Sequence, residues 1–279
     1  MTRSAYTVPR DMGRDARGPW MRFLLLLLWL YGVLPAVVAE EARSPSLTFC
    51  YEDKESFPWV MPDGSGLNLL LLKQVAATLD LQVSWVAVPW RRCLSGLEKG
   101  AYDGAFAASY MPERLVHGVY PLDSDGRVDE SKRLHTQVYA LYSRKDNAVG
   151  WNGSEFRQLE GAIGTLSGFS IVDFLRLHGA AVVESSRDPE ALLYMLATRR
   201  VQAVALQALR ADHVLEGNAE LAAVIEKASL PLETKAYYLM LSHRLQRHQP
   251  QLVEQIWAEI QRQRESPAYR EQLNLLLQP

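Results

Sequence analysis

Thiols are scarce in this chain. Cys50 and Cys93 are the two cysteines in 279 residues, with no CxxC spacing beside them. The six histidines are scattered. Neither pattern suits a metal site, so no metal is expected. P-loop, HExxH and Ser-His-Asp patterns are missing as well, and no cofactor is expected. A basic excess is lacking too: the formal net charge is −2 with 22% charged residues, which argues against a nucleic-acid partner. No apolar run reaches the ~20 residues of a membrane span. Internal repeats and low-complexity tracts are absent. At 48% hydrophobic residues, what remains is an ordinary globular composition.

One run has an address written into it. Leu24 to Val38 is strongly apolar, follows Met21-Arg22 and ends in Val37-Val38-Ala39. A basic start, an apolar centre and small residues before a cut describe a secretory signal peptide, residues 1–39, cleaved after Ala39. No cysteine lies at the cut, which argues against a lipoprotein. The polar residues before Met21 fit no targeting pattern, so translation starting at Met12 or Met21 is an alternative. Removing residues 1–39 removes five arginines and two aspartates, which leaves an acidic exported chain. In an oxidising compartment Cys50 and Cys93 suit a disulfide. The alternative is two small buried hydrophobes.

The remaining chain reads as two βα series. Leu47 to Glu52 (LTFCYE) is a strand, and 53–66 is a loop with Phe57, Pro58 and Trp59. Leu67 to Leu79 is a helix and Asp80 to Val88 a strand. The central stretch, Trp85 to Arg114, reads WVAVPWRRCLSGLEKGAYDGAFAASYMPER. It holds a buried strand end at Val86–Val88, a helix over Arg92–Lys99 stopped by Gly100, and a strand over Ala105–Ala108. A helix then opens at Pro112. After a polar loop, Thr136 to Ser143 is a strand. The second series has strands at 162–165, 181–184 and 201–206. Its helices lie at 170–177, at 188–198 with Asp188 as cap, and after 206 up to Leu215. Ala236 to Leu241 is a late strand, followed by helices at 252–264 and 269–277. Two series imply two lobes. The late strand and helices have no core of their own and are assigned to the first. The division is 44–135 plus 236–279 for lobe 1, and 136–235 for lobe 2.

Ligands of parallel α/β sheets gather at the carboxyl ends of strands. Those ends here carry Trp90-Arg91 and Ser109-Tyr110, with Arg114 one turn on. Arg91 and Arg92 are adjacent, so both cannot face a cleft, and Arg91 is taken as the inward one. For Arg114 the alternative is a solvated arginine paired with Glu113 or Asp103.

LTFCYE, FPW, PWRR, GAYDGAF, SYMPER before VYP, GTLSGFS and ATRRVQAVAL occur in this order. In order and spacing the chain resembles the extracellular solute-binding proteins of polar amino-acid ABC importers, family 3, over nearly all of its exported length. The resemblance implies an α/β, two-lobed periplasmic-binding-protein fold of type 2. Each lobe would be a mostly parallel sheet flanked by helices, with two crossover segments as hinge. It implies that Arg114 grips a ligand carboxylate, as a planar guanidinium can do bidentately, and that Ser109 donates a hydroxyl to it. The backbone near Ala107 and Ala108 would contact an ammonium. Amides of Gly168, Phe169 and Ser170 would face an anion. Glu52 would stand beside the pocket, with Trp59 and Trp90 as its walls. At the position of Gln207 the family's amino-acid binders carry an acid for the ammonium. A neutral amide cannot neutralise that charge, so either Glu52 takes the cation or the solute is another carboxylate or polar molecule.

The function expected is therefore a monomeric periplasmic binder that is not an enzyme. It delivers a small polar or carboxylate-bearing solute to ABC-importer membrane subunits. The alternatives are an enzyme resembling cyclohexadienyl dehydratases, with Glu52 as acid, and the ligand-binding partner of a membrane sensor.

Overall fold

Ser46–Glu52 (β1) puts Leu47, Phe49 and Cys50 into the interior. It pairs in parallel with Gln82–Val88 (β2) on one side and with Gly104–Ser109 (β3) on the other. In this computed structural model residues 45–277 are described, together with Met1, Thr2 and Thr7. The leader segment and its cleavage after Ala39 lie outside the described residues. No helix among those described is long and apolar enough to cross a membrane.

The other strands are His135–Arg144 (β4), Gly150–Trp151 (β5), Phe156–Arg157 (β6), Ile163–Leu166 (β7) and Val182–Ser186 (β8). Ala203–Gln207 (β9), Ile225–Lys227 (β10) and Glu233–Leu241 (β11) complete them. One sheet runs β2-β1-β3-β11-β4-β9-β7-β8, with β10 paired to β4. The β5–β6 hairpin stands apart, in a stretch whose pattern is too short to signal strands. β4 and β11 cross between the halves where they pair, His135–Tyr139 against Glu233–Tyr237. Beyond that crossing β4 goes on to pair with β9, and β11 with β3.

Each half buries both faces of its strands. On the first half, Leu47, Phe49 and Phe106 pack with helices Leu67–Thr78 and Pro250–Arg264. The opposite face puts Cys50, Ala105 and Met240 against helix Trp90–Glu98. On the second half, Ile163 and Ala205 pack with helix Ile171–Leu177, and Leu166 and Val204 with helix Pro189–Ala197. Asp188 caps the last of these through the Glu190 amide at 2.9 Å.

The helix after β2 returns over β1, as a right-handed crossover requires. That brings Cys93 to Cys50, and the two form a disulfide with Cα atoms 5.6 Å apart. The same helix corrects the reading of Arg91. Trp90, Cys93, Leu94 and Leu97 occupy its buried face, which leaves Arg91 and Arg92 on the exposed one. Asp103 holds the start of β3, accepting from the Thr48 amide at 2.9 Å and from Arg244 at 2.8 Å.

Candidate ligand-binding site

β3 ends in an irregularity that shapes the site. Tyr238 of β11 pairs with Ala108 and Leu239 with Phe106, so Ala107 is skipped. Its φ is 61°, a left-handed value that costs a residue with a Cβ about 1 kcal/mol. Such a bulge re-aims the strand. Ala107 borders a cavity between the two halves whose enclosed space is about 40 Å³, room for about three waters.

Arg114 sits in the 3-10 turn Pro112–Val116 directly after β3 and is only 7% exposed. Its guanidinium donates to the Ser109 carbonyl and hydroxyl, both at 2.9 Å, and to the Gly168 carbonyl at 3.3 Å. The guanidinium carbon lies 5.5 Å from the Trp90 ring centre. All three hydrogen-bond acceptors are neutral. The alternative pairing with Glu113 or Asp103 does not occur, since Asp103 is bound to Arg244. Ser109 donates to the Ser170 hydroxyl at 2.9 Å, a second link from the first half to the second.

Glu52 ends β1 at the rim of the cavity. One oxygen accepts from the Trp90 amide at 2.7 Å, and the other has no hydrogen-bond partner. Burial pushes its carboxyl up to about 7. Asp53 adds to the rise, while the Trp90 amide and Arg187 oppose it.

Gln207 is buried and faces the cavity. Its amide nitrogen donates to the Tyr237 hydroxyl at 3.2 Å, and its oxygen has no partner. Tyr237 in turn bonds the Tyr139 hydroxyl at 2.8 Å. Trp59 lies flat on His135, ring centres 3.9 Å apart, with its indole nitrogen unpaired.

Glu52, Trp59, Trp90, Ser109, Arg114, Phe169, Ser170 and Gln207 thus share one cavity. Gly168 meets it through the carbonyl that Arg114 reaches. Its amide is not free to face an anion, because it donates to Glu184 at 3.0 Å. The Phe169 amide donates to the Leu166 carbonyl. Gly168 has φ 79°, and a Cβ there would come within 3.1 Å of the Arg91 side chain. Arg91 itself lies outside the cavity, its side chain 68% exposed and paired with Glu184 at 3.2 Å.

Sequence reading missed several polar groups of the same cavity, among them Asn68, His135, Tyr237 and Arg210. Asn68 and His135 are joined at 2.9 Å. Burial holds the His135 imidazole down at about 3, so it is neutral. With its Nδ1–H donated to Asn68, its Nε2 offers an unpartnered lone pair. Arg210 is 2% exposed, in the first turn of the helix Ala208–Gly217. No metal-holding group of three or more His, Cys, Asp or Glu occurs among the described residues. No local motif marks these four positions.

No protein-family profile matches the chain, and no curated protein matches it in sequence. Solved structures do match in shape. The GluR0 ligand-binding core from Nostoc punctiforme, in complex with L-glutamate, superposes with a TM-score of 0.65 at 16% identity, over 84% of this chain and 100% of that one. A histidine kinase sensor domain with similarity to periplasmic binding proteins gives 0.67 at 14%, over 84% and 97%. An amino-acid ABC-transporter substrate-binding protein from Streptococcus pneumoniae, bound to L-arginine, gives 0.63 at 17%, over 83% and 94%. This chain has the two-lobed periplasmic-binding-protein fold of type 2.

Proposed function

We propose that this protein is an exported solute-binding protein that closes around a small carboxylate-bearing solute. The lobes are residues 44–135 plus 236–279 and residues 136–235. The observation that carries the reading is Arg114, a buried guanidinium bound only to neutral oxygens at the joint of the two halves. A buried cation of this kind lacks its counter-charge, and a carboxylate supplies it bidentately. The similar folds complexed with L-glutamate and L-arginine support a solute of amino-acid size. Contacts from Ser109 and Arg114 to Ser170 and Gly168 join the two halves, so a solute that bridges the same groups would favour a shut cleft. Importer membrane subunits or a membrane sensor would read that form, and the likeness to a sensor domain supports the second as much as the first.

The test is a thermal-shift screen of the exported protein against amino acids, di- and tricarboxylates, polyamines and sugars. A ligand that binds the folded state alone raises the melting temperature. At least one carboxylate is expected to do so. A panel in which sugars or polyamines act and no carboxylate does overturns the reading.

Glu52 favours one second reading. A carboxyl that titrates at about 7 beside a ligand cavity is suited to general acid chemistry near neutral pH. A similar fold is an ancestral amino-acid-binding precursor of cyclohexadienyl dehydratase. Turnover of prephenate or arogenate that Glu52→Gln abolishes would establish that enzyme, and no turnover by the native protein removes it.

A further inference from the structure

We infer that Arg210 is a second anion handle in the cavity, and that the solute therefore belongs to the class of small dicarboxylates. This deepens the proposed binding function and rests on it.

Arg210 lines the same cavity as Arg114 and is all but fully buried. Its Nε and one terminal nitrogen have no hydrogen-bond partner. Burying an arginine costs free energy unless a counter-charge and acceptors meet it. Burial brings its guanidinium down to about 10, against the opposing pull of nearby acidic groups. Three carboxylates stand near enough for their charge to be felt, Glu52, Asp188 and Glu55. None bonds to it, and each is engaged elsewhere. Glu52 accepts from the Trp90 amide. Asp188 caps its helix through the Glu190 amide. Glu55 lies 3.4 Å from His213.

Charge leads the same way. Arg114, Arg210 and Lys54 border the cavity against one carboxyl, Glu52. Burial raises that carboxyl to about 7, so near neutral pH it carries only part of a negative charge. Gln207 adds no charge. A solute with one carboxylate would satisfy Arg114 and leave Arg210 as it stands. A second carboxylate matches it. Two further open donors, Trp59 Nε1 and Asn68 Nδ2, suit carboxylate oxygens. The open acceptors, His135 Nε2 and the Gln207 oxygen, leave room for a hydroxyl or ammonium between the two acidic ends.

The experiment is calorimetry on the exported protein with matched pairs: L-glutamate against L-glutamine, and succinate against succinamate. Each pair differs only in whether the second group is charged. The diacid of at least one pair is expected to bind at least about tenfold tighter than its amide. Arg210→Gln is expected to abolish that preference. An amide that binds as tightly as its diacid overturns the inference and leaves Arg114 as the sole handle. So does an Arg210→Gln protein that keeps the preference. Monocarboxylates that bind while no diacid does overturn the inference alone. A protein that binds no carboxylate of any kind overturns both this inference and the reading beneath it. Arg210 has no hydrogen bonds to lose in the free protein, so the variant is expected to melt no lower than its parent. Should it fail to fold, the matched pairs on the native protein decide the question.

Discussion

The Glu52 carboxylate and the Trp90 backbone amide meet at 2.7 Å, tying the end of β1 to the start of the helix that follows β2. The contact holds the acid at the rim of the cavity, with its other oxygen free of hydrogen bonds and 3.9 Å from Arg187. A carboxyl raised from 4.5 to about 7 keeps its proton in the folded state where the unfolded chain has lost it. Stability from this group is thus full below about pH 4.5 and falls as pH rises through about 7. Thermal melts of Glu52→Gln and the parent between pH 4.5 and 8 are expected to diverge: the variant should lack this decline. Parallel curves would show that Glu52 titrates as an ordinary acid.

Arg114→Ala is expected to weaken binding of any carboxylate solute by about 2–5 kcal/mol, the scale for removing one partner of a buried charge pair. Arg114→Lys should recover only part of that loss, because an ammonium cannot make the planar double contact. Calorimetry measures both. A change below about 0.5 kcal/mol for alanine, the level of surface substitutions, would deny Arg114 the role.

The Cys50–Cys93 bond closes a loop across 43 positions and pins the helix Trp90–Glu98 to β1. Replacing both cysteines by alanine is expected to cost about 2–4 kcal/mol in urea unfolding. Trp90 and Glu52 ride on the two joined elements, so solute affinity should fall as well. Unchanged stability under reducing conditions would contradict this.

Glu184 gathers three contacts at the lip of the cleft: Arg91 at 3.2 Å, Arg176 at 3.1 Å and the Gly168 amide at 3.0 Å. Arg91 reaches it from the other half. Partly exposed ion pairs contribute about 0.2–1 kcal/mol each. Glu184→Gln is therefore expected to speed solute release a few-fold and to leave the arrival rate nearly unchanged, by stopped-flow fluorescence. An effect confined to arrival would mean that this contact steers the solute rather than holding the lip.

Strands of the first half were legible because β1 and β3 are short, apolar and bounded by turn residues, and the helix caps were marked by Asp188-Pro189 and Gly100. Arg114, Ser109 and Trp90 could be assembled because each stands just past a strand end. The bulge at Ala107 was invisible, since alanine carries no signal for a left-handed φ. Arg91 reaches the lip of the cleft at Glu184 and stops short of the cavity, because Trp90 and the disulfide set which face of its helix is buried. Arg210 was overlooked because a lone arginine on a helix is ordinarily solvated. The helix that follows β9 buries it beside Ala211 and brings it to the cavity.

The ribbon made by β4 and β11 belongs to both halves at once. Cut there, each half would be left with an unpaired strand edge, and bare edges invite association with other chains. Neither half can be expected to survive as a separate piece, and heating should melt them in a single event. A protease would have to sever the middle of a ladder, not a linker, to part them.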